Sequence, residues 1–157
     1  MLEVGKKAPA FKLPGDAGDA IQLKDFKGKT LVLFFYPKDD TSGCTKEAIA
    51  FTELKDKFNA AGAEIVGMSP DSVERHVKFK NKHDLTVALA ADEEKTVLEK
   101  YGVWVEKSMY GRKYMGVERT TFLIDGNGKI AQIWRKVKVP GHAEAVLEAV
   151  QELAAAK

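Results

Sequence analysis

Residues 30–36, TLVLFFY, are an unbroken run of leucine, β-branched and aromatic side chains. Such a run is the pattern of a strand covered on both faces, and it predicts a strand in the middle of a sheet. Pro37 ends the run and polar DDTSG follows. From Cys44 onward, CTKEAIAFTELKDKFNAAG sets Cys44, Ala48, Phe51, Leu54 or Lys55, and Phe58 along one side of a helix that Gly62 stops. The unit then recurs. AEIVGMS, residues 63–69, predicts a second buried strand, and Ser69-Pro70 predicts the cap and first turn of a helix reaching about His83. VALAA, residues 87–91, reads as a shorter third strand, and residues 93–101 as a short helix stopped by Gly102.

Residues 102–119 are aromatic and glycine-spaced and hold no sustained period of either kind. After them TTFLID and KIAQIWR flank the turn Asp125-Gly126-Asn127-Gly128, a strong hairpin signal, and a helix over residues 142–155 closes the chain behind Pro140-Gly141. Ahead of Thr30, Ile21 and Leu23 alternate, with Pro9 and Pro14 as punctuation, and predict a small hairpin or edge addition. The order is βαβαβα and then ββα, an α/β chain with a mixed central sheet flanked by helices and an N-terminal β extension.

With 157 residues the chain has about one domain's worth of length and is read as a single domain over residues 1–157. Hydrophobic residues at 45% and charged residues at 31%, with 13 Gly and 5 Pro, exclude collagen-like, low-complexity and largely disordered classes. Its 25 basic residues less 23 acidic ones leave +2, too small a surplus to argue for a nucleic-acid or membrane partner. The longest apolar run is about a third of the roughly 20 residues a membrane helix needs, and MLEVGKKAPAF has no signal-peptide core. A soluble, cytoplasmic protein is expected. The single cysteine, Cys44, excludes an intramolecular disulfide, and His76, His83 and His142 stand at no metal-ligand spacing, so no metal site is expected.

Cys44 is the first residue of chemical interest. It opens a helix just beyond the C-terminal end of a buried central strand, where α/β sheets form their ligand crevices. Amides and dipole at a helix N-terminus stabilise a thiolate, the nucleophilic form of cysteine; the plainer reading is a small buried hydrophobe. Thr41 places a hydroxyl three residues ahead of the sulfur, and Gly43 lets backbone amides approach closely. Thr41 or Ser42 also suits an N-cap, which does not exclude catalysis.

The segment YPKDDTSGCTKEAIAF, residues 36–51, resembles the active-site segment of peroxiredoxins, whose pattern is Pro, three residues, Thr or Ser, two residues, Cys. Pro37, Thr41 and Cys44 match it position for position, and the neighbouring KDD and TKEA are similar to the bacterioferritin comigratory protein or peroxiredoxin Q subfamily. Residues 102–125, GVWVEKSMYGRKYMGVERTTFLID, are similar to that subfamily's second block, with Arg119 where the family keeps an active-site arginine. The resemblance runs from about Val4 to the last helix and implies a thioredoxin-like fold.

It also implies that the Cys44 thiolate attacks a hydroperoxide and becomes a sulfenic acid, with no metal or organic cofactor. Arg119 would hold the thiolate and polarise the peroxide. Thr41 would orient the peroxide, the Gly43 and Cys44 amides would add donors, and Pro37 would wall the pocket. By itself, an arginine beside Glu118 ahead of a strand reads as a solvated surface charge. Glu47 reads as a structural first-turn acid; Trp104, Tyr110 and Tyr114 as core packing or exposed loop; RHVKFKNKH, residues 75–83, as a solvated basic helix face open to an acidic reductase.

The chain departs from the subfamily where the second cysteine would stand. Ile49 lies five residues after Cys44, and Phe79, Lys80 and Asn81 fill the alternative place in the next helix. Recycling is therefore expected to need an external thiol: thioredoxin, glutaredoxin, a small thiol, or Cys44 of a second copy. Ser42 replaces the family's Pro, and the resemblance implies a monomer. Two other readings stand beside it. A redox sensor would be oxidised only stoichiometrically; a disulfide oxidoreductase would want a second cysteine at Thr41.

Overall fold

The computed structural model describes residues 2–156. Two short strands lead, β1 (Lys12–Pro14) and β2 (Ala20–Gln22), paired antiparallel with Leu13 opposite Ile21. They form the expected N-terminal extension, followed by a 3-10 turn at Leu23–Phe26. The apolar run becomes β3 (Thr30–Phe35), every residue of which is buried. Then come α1 (Ser42–Ala60), β4 (Ala63–Ser69), α2 (Val73–His83), β5 (Ala88–Ala91) and α3 (Thr96–Lys100). The second half holds β6 (Trp104–Met109), β7 (Arg112–Val117), β8 (Thr120–Ile124), β9 (Ile130–Trp134) and α4 (His142–Ala155).

The main sheet runs β5-β4-β3-β8-β9, so β3 is central as its two-sided apolar pattern demands. It pairs parallel with β4 and antiparallel with β8. Successive side chains of β3 point to opposite faces and feed two cores. Val32, Phe34 and Tyr36 pack with Phe51 and Phe58 of α1 and Val146 of α4, whereas Leu31, Leu33 and Phe35 pack with Leu98, Tyr101 and Phe122.

Two helix bounds and one hairpin differ most from the sequence reading. Helix α2 begins at Val73, not at Ser69-Pro70: Ser72 is its cap, accepting from the Arg75 amide at 3.2 Å, while the Ser69 hydroxyl is spent on Asp71. Helix α3 is only Thr96–Lys100, shorter than the expected 93–101. Residues 102–119, which lacked a period, contain the β6–β7 hairpin, a separate two-stranded sheet with Lys107 opposite Tyr114 and Met109 opposite Arg112. Most of its residues are solvent-exposed, so no buried face imposes an apolar alternation on them. Among the described residues no helix is long and apolar enough to cross a membrane.

Candidate active site

The end of β3 and the start of α1 are joined by the loop from Pro37, half-buried, through Asp40, whose backbone is left-handed at φ 61°. Thr41 occupies the N-cap with extended backbone, but its hydroxyl caps nothing; it donates to the Lys38 carbonyl at 2.8 Å. That leaves the oxygen's lone pairs available as acceptors. The helical ladder starts with the Thr45 amide on the Thr41 carbonyl, so the Ser42, Gly43 and Cys44 amides stand ahead of it, at the positive end of the dipole. Cys44 lies in this first turn, its side chain 2% exposed and packed at the edge of the core that holds Ala48 and Phe51.

Arg119 immediately precedes β8, and antiparallel pairing sets Thr120 opposite Phe35 at the end of β3. This register closes a separation of 75 residues: Arg119 Nη2 donates to Cys44 Sγ at 3.4 Å. Its other terminal nitrogen, Nη1, donates to Glu47 Oε1 at 2.7 Å. A Cβ built on Gly43 would lie 3.2 Å from Arg119 Nη2, so the missing side chain at that position is what admits the guanidinium. Thr41, Gly43, Cys44 and Arg119 are thus gathered at one helix start, with Pro37 at the far end of the same loop.

Glu47, read from sequence as structural, is part of this constellation. It follows Cys44 by one turn on the same helix face, is 1% exposed, and leaves Oε2 buried without a hydrogen-bond partner among the described residues. Burial pushes its pKa up to about 7, while Arg119 pulls it back. Burial works against the Arg119 cation, but Glu47 and then Cys44 outweigh it and its pKa is raised. Spacing of three from Cys44 on the buried side was the signal available in the sequence.

The basic run in α2 is not simply a solvated face. His76 is 0% exposed, its Nδ1 lying 2.6 Å from Asp39 Oδ2 and its Nε2 2.9 Å from the Ala90 carbonyl. Tyr36 donates to Asp39 Oδ1 at 2.6 Å, and the Asp39 amide donates to Asp71 Oδ2 at 2.8 Å. Burial and then Asp39 raise the Tyr36 pKa well above its usual value. Asp39, Asp71 and His76 bring ligand-type atoms within 4.8 Å of one another, although His76 stood at no metal-ligand spacing in sequence. Those atoms are spent on one another and on Tyr36, Ser69 and Arg75, so the cluster is a hydrogen-bonded clamp on the loop. A second clamp is outside: Asp40 binds His83 and Lys82, both at 2.8 Å, and these contacts lower its pKa.

Beside Arg119 opens a cleft of about 380 Å³ lined by Val105, Glu106 and Lys107 of β6 and by Glu118, Lys136 and Val137. Trp104 is half-buried under the Lys95 ammonium, 5.5 Å from its ring, whereas Tyr110 and Tyr114 are exposed.

The AhpC/TSA family model matches residues 4–133. A putative peroxiredoxin bcp of Coxiella burnetii is 51% identical over 146 residues, 93% of this chain and 97% of that one. Peroxiredoxin Bcp of Bacillus subtilis is 47% identical over 152 residues, 97% of each chain. Among solved structures, the bacterioferritin comigratory protein of Xanthomonas campestris, described for its alkyl peroxide reduction activity, superposes with a TM-score of 0.90 at 40% identity, covering 98% of both chains. Fold, sequence and the assembled cysteine site agree: the chain belongs to the AhpC/TSA family, in which it is a peroxiredoxin, an enzyme that reduces peroxides at the expense of a thiol.

Proposed function

We propose that Cys44 is the peroxidatic cysteine and that the chain is recycled by an external thiol. The observation that carries this reading is the 3.4 Å hydrogen bond from Arg119 Nη2 to Cys44 Sγ. A guanidinium is charged at any working pH, so it sets a fixed positive charge and an N–H donor against the sulfur and later faces the charge that develops on the peroxide.

A hydroperoxide enters with its O–H donating to the Thr41 oxygen, whose own proton is committed to Lys38. Thr41 and Arg119 together align the O–O bond with Sγ, the Gly43 and Cys44 amides add donors, and Pro37 limits water around the sulfur. The thiolate attacks the hydroxyl-bearing oxygen: an S–O bond forms, the O–O bond breaks, and its electron pair leaves on the second oxygen. That oxygen takes up a proton and departs as alcohol or water, and Cys44 is left as a sulfenic acid.

No second cysteine exists in the chain to condense with it. The thiolate of an outside dithiol, of the thioredoxin or glutaredoxin kind, therefore attacks Sγ, expelling hydroxide as water and forming a mixed disulfide. The reductant's second thiol then attacks its own bonded sulfur, which releases the Cys44 thiolate and leaves the reductant oxidised. The chain works as a monomer, in the cytoplasm where such thiols are kept reduced.

Peroxide consumption measured with excess dithiothreitol tests this. Cys44→Ser is expected to abolish turnover and Arg119→Ala to slow it by roughly 10²–10³-fold. An unchanged rate in the serine variant refutes the assignment, and turnover that stops at one equivalent of peroxide points to a stoichiometric sensor instead.

A further inference from the structure

Tyr110 stands at the tip of the β6–β7 hairpin, 97% exposed, with φ at 52° and Gly111 after it at 78°. Met109 pairs with Arg112, so these two residues are the whole turn. Two-residue hairpins of this left-handed kind close with least strain on Asn-Gly, Asp-Gly or Gly-Gly, and a bulky aromatic in that region is an outlier. Nothing in the fold requires a strained tyrosine whose ring touches almost nothing. Strain held at such a position is a pointer to function.

Its surroundings give the function a chemistry. Of the six large apolar side chains that are exposed among the described residues, four belong to this hairpin: Met109 at 55%, Tyr110 at 97%, Tyr114 at 43% and Met115 at 50%. The strand register puts Val105, Lys107, Met109, Arg112 and Tyr114 on one face. That face carries two cations, Lys107 and Arg112, while Glu106 lies on the other face with Lys113, 3.9 Å away, and with Glu118 lines the cleft at the hairpin's base. At its base, Val105 and Lys107 line the cleft that holds Arg119, whose guanidinium touches Cys44. Aromatic, methionine and arginine side chains are those that dominate protein interfaces.

We propose that this hairpin face is the docking surface for the protein thiol that reduces oxidised Cys44, a partner carrying acidic side chains on an apolar rim around its cysteine. The inference rests on the reading of Cys44 as an externally recycled peroxidatic cysteine. With one cysteine in the chain and its side chain 2% exposed, a protein thiol has to be held at the mouth beside Arg119 long enough to reach the sulfur. Val105 and Lys107 of the hairpin wall the cleft that holds Arg119, and the hairpin extends beyond it. Lys107 and Arg112 select an acidic surface and speed encounter, while Tyr110, Tyr114 and Met109 supply apolar contact.

The test compares recycling by thioredoxin, kept reduced by its reductase and NADPH, with recycling by dithiothreitol, using the full chain. Tyr110→Asn is expected to raise the KM for thioredoxin about tenfold, as loss of an interface anchor does. Dithiothreitol-driven turnover and the peroxide reaction stay as in the parent, and the melting temperature holds or rises because Asn accepts the left-handed turn. Arg112→Glu raises the KM again, and the parent's KM climbs with ionic strength where this variant's does not. A thioredoxin KM unmoved by Tyr110→Asn, or insensitive to salt in the parent, overturns the inference. So does sedimentation showing a dimer of the parent that Tyr110→Asn dissociates with the thioredoxin KM unchanged, for the face then belongs to a second copy. Failure of dithiothreitol itself to recycle the parent is a separate result: it removes the Cys44 reading and this inference with it.

Discussion

Glu47 holds one nitrogen of the Arg119 guanidinium at 2.7 Å and thereby fixes the direction in which the other nitrogen points, toward Cys44. Serving two acceptors in fixed directions depends on the planar fork of arginine and is not reproduced by a point charge. The carboxylate is almost fully buried with one oxygen unpaired, an arrangement costly to stability and therefore informative about its use.

Glu47→Ala should free the guanidinium to rotate and slow the reaction of peroxide with Cys44 by about 10–100-fold, since misplacement of a positioning group by roughly 1 Å costs that order. Glu47→Gln keeps an acceptor for Nη1 and should recover most of the rate. Rapid-mixing kinetics of the peroxide step decides; equal rates for the alanine and parent proteins would show that Arg119 needs no anchor.

Gly43→Ala separates catalysis from stability. Alanine is ordinarily favoured over glycine in a helix by up to about 1 kcal/mol. Here its Cβ would stand 3.2 Å from Arg119 Nη2, and the guanidinium, tied to Glu47, has to give way. The expected outcome is an unfolding midpoint in urea equal to or above that of the parent, with peroxide reduction slower by about tenfold. A variant as fast as the parent contradicts the close approach.

His76→Leu removes the partner of Asp39 Oδ2 and of the Ala90 carbonyl, while Asp39 Oδ1 keeps the Tyr36 hydroxyl. Leaving a buried acceptor without its hydrogen-bond donor costs about 1–3 kcal/mol. Urea unfolding measures it, and a loss under about 1 kcal/mol would mean that the network contributes little to holding the loop.

His142 ties acid stability to the core beneath the site. It accepts from or donates to Thr121 Oγ1 at 2.8 Å, and burial, with Arg119 adding to it, lowers its pKa to about 4 from 6.5. The folded pKa lies below the unfolded one. Above pH 6.5 neither state binds the proton; between 6.5 and about 4 the unfolded chain takes it and the folded chain does not, so stability falls with pH across that window and levels off below it. His142→Asn should flatten this limb, worth up to about 3 kcal/mol, at a cost near neutral pH of about 1 kcal/mol for the altered hydrogen bond. Parallel acid limbs in parent and variant would assign the loss to other groups.

Features that depend on neighbours along the chain were legible before any fold was known. The two-sided apolar run of β3, the helix that follows it and the hairpin turn at residues 125–128 are local patterns, and each stands where it was read. The spacing of Pro37, Thr41 and Cys44 is local too, and with the resemblance it carried Arg119. Tertiary structure decided the rest, because burial and ion pairing depend on segments that meet only in the fold. Glu47 looked like an ordinary first-turn acid until β8 delivered Arg119 to it across 72 residues. His76 looked like one charge on a basic helix until Asp39 and Ala90 closed around it. The β6–β7 hairpin escaped for the opposite reason. A strand pair that is mostly open to solvent buries too little to write a period into its sequence, and the left-handed turn that closes it carries a tyrosine where local chemistry favours asparagine or glycine.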